Sequence, residues 1–131
     1  MKKKLLLILA MSSGLFLTSQ VNMSCNTRMD CTWNNTTKEY ENCDEYYNNS
    51  LFVLSENSRM LTHTVSNNQT TYYLKSNTYI DDGSSISVDA ISDTGIEYRF
   101  IFDLENKYIF ILFQDTSGQV YMVRFTVKTS W

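Results

Sequence analysis

Residues 96–114, IEYRFIFDLENKYIFILFQ, decide the fold. In an extended chain, Ile96, Tyr98, Phe100, Phe102 and Leu104 share one side, while Glu97, Arg99, Ile101 and Asp103 share the other. One face therefore belongs to a core and the other mostly to water. Glu105, Asn106 and Lys107 supply a turn. Residues 108–113 then carry apolar side chains on both faces, which predicts a central strand covered twice.

Working outward, the same grammar repeats. Asp115, Thr116, Ser117 and Gly118 lead into a last strand in which Tyr121, Val123, Phe125 and Val127 alternate with Met122, Arg124, Thr126 and Lys128. Upstream, residues 92–95 join a strand at 86–91 to the one that follows, and Asp81-Asp82-Gly83-Ser84 is a turn after a strand at 70–75. Residues 51–54 and 60–65 pair through 55–58, and 32–33 can pair with 38–41 around Asn34 to Thr37. No stretch has a convincing helical period. The expectation is all-β: an antiparallel up-and-down meander of about eight to ten short strands curled into a small barrel or sandwich. The chain has no proline, so strand edges must be protected by charge, pairing or closure.

The organisation along the chain has three parts. Residues 1–19, MKKKLLLILAMSSGLFLTS, place three lysines before a short apolar run and small polar residues, which predicts a signal peptide for export to the periplasm or the exterior. Residues 20–50 form a polar, cysteine-bearing segment with one hairpin, and 51–131 form the meander, the two making one domain. Once the leader is removed, eight basic residues face fourteen carboxylates, a net charge near −6. Nucleic acid, whose binders cluster Lys and Arg against phosphates, is thereby disfavoured, and no transmembrane span is expected in the mature chain.

All three cysteines, Cys25, Cys31 and Cys43, fall in the polar segment. A Cys31–Cys43 disulfide would close a short loop and contribute ~2–3 kcal/mol in an oxidising compartment. Pairings of Cys25 with either remain open, as does a lipid-anchored form through Cys25, which follows a serine. The only histidine, His63, alternates with Leu61 and Val65, so it shares either the interior or a modest polar face with them.

No metal-binding spacing, cofactor motif or nucleophile elbow is present, and no cofactor is expected. Asp81 and Asp82 read better as turn formers than as calcium ligands. The expectation is a non-catalytic protein.

Adjacent strand residues face opposite sides, so Tyr46 with Tyr47, and Tyr72 with Tyr73, cannot each bury both members in one core. Tyr46, Tyr47 and Tyr73 are therefore candidate contacts for an envelope or extracellular protein partner.

The runs LFVLSENSRMLTHTV (51–65), TTYYLKS (70–76), EYRFIFDLENKYIFILFQD (97–115) and VYMVRFTVK (120–128) resemble the small exported lipocalin-like proteins of Gram-negative bacteria. The resemblance is one of pattern over residues 51–131; Trp33 stands in DCTWNN without the glycine of that family's early Gly-x-Trp. It implies a barrel and a hydrophobic or amphipathic small ligand held by interior residues such as Tyr98, Phe100, Phe102, Tyr121 and Phe125. The alternative is an inhibitor or adaptor with a solid core, no ligand and a surface that meets another protein.

Overall fold

In the computed structural model, which describes residues 20–131, nine strands follow one another: β1 (Val21–Asn34), β2 (Glu39–Leu54), β3 (Met60–Val65), β4 (Asn68–Leu74), the two-residue β5 (Ile80–Asp81), β6 (Ser85–Ser92), β7 (Glu97–Asp103), β8 (Tyr108–Gln114) and β9 (Val120–Ser130). The predicted signal peptide lies outside the described residues. Every ladder is antiparallel. Consecutive strands pair from β1 to β4 and from β6 to β9, β4 joins β6, and β9 returns to β1, so eight strands close into a barrel with β5 as a side strand on β6. Closure protects the strand edges of the barrel wall in a chain without proline.

The register explains why these sequences make strands. Phe102 faces Ile109, which faces Phe125; Phe100 faces Ile111, which faces Val123. Ile86 and Val88 join the same rows from β6. All of these side chains are buried, and with Met23, Phe52, Leu54, Leu61, Tyr72 and Leu74 from β1 to β4 they form one continuous cluster inside the barrel. Period-two alternation thus sends one side of each strand to a common interior. The turns behave as their chemistry directs: Asp82 accepts from the amides of Ser84 and Ser85, and Asp115 from those of Ser117 and Gln119. Gly118, at φ 93, closes the β8–β9 hairpin in a conformation that other residues rarely adopt.

Two expectations need correction. The outer side chains of β8, Tyr108, Phe110 and Leu112, receive no second layer; they are half-buried on the outside of the barrel, where the Arg124 guanidinium lies 4.4 Å from the Tyr108 ring centre. Their apolar character is met by neighbours on the same wall, because β8 is one stave of a closed cylinder and not the middle of a sandwich. The short hairpin expected at 32–33 and 38–41 belongs to a far longer pair, β1 and β2, whose ladder runs from Val21 opposite Leu54 to Asn34 opposite Glu39. Register shifts between Cys25 and Thr27 and between Asp30 and Thr32 bend that pair.

Cys25 points into the interior, 2 % exposed, and burial pushes its thiol up to about 12. Lipid attachment there would need cleavage just before it, removing Val21 and Met23 from the core, so the packing speaks against that form.

Candidate functional site: the barrel mouth and its lip

The interior grades from apolar to polar along the barrel axis. At the end where the β2–β3 turn lies, Tyr79 packs against the core and its hydroxyl donates to the Ser58 carbonyl at 2.8 Å. At mid-height the His63 ring lies flat on Phe52, centres 4.0 Å apart, and edge-on to Phe125 at 4.8 Å. His63 is thus an interior residue, with burial and the nearby Arg28 charge holding its imidazole down to about 4. Its Nε2 has no partner among the described residues, nor do Ser50 Oγ and Asn48 Oδ1 on the neighbouring strand.

Towards the mouth Arg28 sits with its guanidinium 5.5 Å from the Phe125 ring centre and donates through Nε to Asp30 Oδ1 at 2.7 Å. The Tyr46 hydroxyl donates to Asp30 Oδ2 at 3.0 Å. Arg28, Asp30 and Tyr46 thereby form one neutralised network on adjacent strands, Arg28 standing opposite Tyr46 on one side and Phe125 on the other. A second aromatic series climbs to the rim: Phe100 to Tyr72 at 4.9 Å, Tyr72 to Tyr98 at 5.0 Å, Tyr98 to Phe113 at 5.4 Å and Phe113 to Tyr121 at 5.3 Å. Tyr121 ends it, its hydroxyl donating to Asp115 Oδ2 at 3.1 Å.

The five side chains expected to line a ligand cavity occupy two environments. Phe100, Phe102 and Phe125 belong to the buried cluster and touch other side chains of it. Tyr98 and Tyr121 lie at the mouth, in the aromatic series just described.

The three candidate partner contacts are also divided. Tyr46 and Tyr47 stand together on β2 with opposite orientations, Tyr46 towards the mouth and Tyr47 outward with 91 % exposure. Tyr73 sits elsewhere, on the outer wall of β4 in register with Met60 and Ile91.

Tyr46 and Tyr47 lie on a lip. Beyond Ser50, which is opposite Val65 of β3, the strand β2 has no ladder partner on that side among the described residues, while β1 pairs with it back to Glu39. β9 supports β1 as far as Thr32. The Cys31–Cys43 disulfide ties the two lip strands, with Cα atoms 4.2 Å apart. Asn34 Oδ1 accepts from the amides of Thr36 and Thr37 at the tip, and the Trp33 ring meets Tyr40 edge-on at 4.9 Å. The Arg28, Asp30 and Tyr46 network escaped sequence reasoning; the spacing of Arg28 and Asp30, two apart and therefore on one face, was the signal available.

No group of His, Cys, Asp and Glu among the described residues is arranged to hold a metal ion, and no described helix is long and apolar enough to cross a membrane. The architecture is that of an eight-stranded antiparallel β-barrel with a stapled lip. Comparison with protein-family models, characterised proteins and solved structures yields no match.

Proposed function

We propose that this protein is an exported, non-catalytic binding module that meets another protein through its lip and holds no small ligand in its interior. The observation that carries this reading is the pairing of a barrel whose inward side chains pack into one buried cluster with a disulfide that lies outside that cluster, joining buried Cys31 to exposed Cys43 on the lip. A staple on an exposed ribbon keeps a surface in shape, and the surface it keeps displays Tyr46 and Tyr47, residues suited to contact at low entropic cost. The disulfide also fits an oxidising compartment, periplasmic or extracellular.

Native mass spectrometry of the mature chain, exported through its own leader, tests the reading. The expected spectrum is that of the bare polypeptide less two hydrogens for one disulfide. A reproducible non-covalent adduct on most molecules would instead establish an interior ligand, as the lipocalin-like resemblance implies.

A further inference from the structure

We infer that the outer edge of β2, from Glu39 to Asn49, is a strand-addition site for an extended, lysine- or arginine-bearing segment of a partner protein. The inference rests on the surface-module reading above and specifies its partner. An unpaired strand edge offers a row of backbone N–H and C=O groups to any chain that can lie beside it. Here the edge runs beside a strand that is itself paired on both sides, β1 lying between β2 and β9 as far as Thr32. Together with the disulfide and the Asn34-organised tip, this holds the edge in place before any partner arrives, which lowers the ordering cost of docking.

The edge is not uniform. Asn42, at φ 55, sits where the ladder skips between Glu41 and Asp44, so the longest unbroken register runs from Asp44 to Tyr47 and extends through the stapled Cys43. A run of that length matches the shorter strands found in sheets.

Charge selects the occupant. Residues 39–49 carry Glu39, Glu41, Asp44 and Glu45 and no lysine or arginine. Glu45 is engaged by Arg124 at 2.7 Å and Glu41 accepts from Asn34 at 2.8 Å, whereas Glu39 and Asp44 enter no ion pair among the described residues. A second copy of this edge would bring carboxylates against carboxylates, an arrangement that opposes self-pairing. The same charge favours a basic strand, and Tyr47 gives its cations an exposed ring to lie over.

The test uses the full mature chain and a capped peptide of alternating lysine and valine, titrated at low salt while amide exchange is followed residue by residue. The expected result is slowed exchange within residues 43–47, with the core amides unchanged. Affinity should fall about tenfold or more when the peptide is N-methylated along its hydrogen-bonding edge, and similarly with Asp44→Lys, a solvent-exposed change that leaves the core intact. Indifference to N-methylation, equal binding of a glutamate–valine peptide, self-pairing of the chain through this edge, or no binding at all would each overturn strand addition. If the peptide perturbs only the Tyr46 and Tyr47 side chains, strand addition fails while the surface reading stands. Perturbation centred on Tyr98 and Phe113 would sink the surface reading itself.

Discussion

Lowering the pH should loosen this barrel through one residue. His63 is 8 % exposed, stacked on Phe52 and edge-on to Phe125, and its Nε2 meets no hydrogen-bond partner among the described residues. Burial, followed by the Arg28 charge, lowers its pKa from 6.5 to about 4. Below the unfolded value the unfolded chain takes up a proton that the folded chain refuses. The stabilising effect is therefore whole above pH ~6.5 and is lost as the pH falls towards ~4. At 1.36 kcal/mol per unit, the loss is about 2.5 kcal/mol by pH 4.5. Because His63 is the only histidine, no other imidazole contributes to that window. Urea unfolding followed by the fluorescence of Trp33 and Trp131 at pH 7.5, 6.0 and 4.5 measures it, with a midpoint shift of about 1–2 M expected. His63→Phe keeps the stacking and removes the titration, so its midpoint should be nearly flat across the same range. Equal slopes for wild type and variant would refute the argument.

Phe100→Ala, at a side chain with 0 % exposure, should cost about 3–5 kcal/mol in chemical unfolding, and a loss under 1 kcal/mol would mean that the interior is not packed around it. Replacing Cys31 and Cys43 with serine should cost about 3 kcal/mol globally, as expected for so short a loop, and speed amide exchange in the lip well before the core. The Cys25 thiol, buried and pushed up to about 12, should resist a thiol-specific reagent in the folded protein and react fully in denaturant; rapid native labelling would contradict its placement.

The half of the barrel from β6 to β9 was legible in the sequence because its residues obey two rules at once, alternation within strands and strong turn chemistry between them. Ser85–Ser92, Glu97–Asp103 and Tyr108–Gln114 fall within a few residues of the expected strands. β1 and β2 hid their length for a physical reason. Their bulges shift the inward set by a residue, so VNMSCNTRMD and YENCDEYYNN show no clean period, and much of β2 lies on a lip where neither face needs to be apolar. The mouth was partly legible. Tyr46 and Tyr47 were correctly read as unable to share one interior, but a pattern of types along the chain cannot show that Arg28, Asp30 and Tyr46 meet across a ladder. Nor could it show that Tyr73 stands on a different wall, since that depends on the register of β4 with β3 and β6.

The seam between β1 and β9 brings the beginning and end of the described chain side by side, with the Asn22 amide donating to the Trp131 carbonyl at 2.9 Å and the Trp131 amide returning to Asn22 at 3.0 Å. Tension applied between those two points would not slide the strands past each other. It would peel the antiparallel seam from its end, breaking one bonded pair before the next is loaded, which is the weak direction of such a ladder. Tension between the lip tip and Trp131 would instead run along β1 and β9 and load many bonds together. The same barrel is thus built to yield easily when its ends are drawn apart and to hold when it is pulled by its lip.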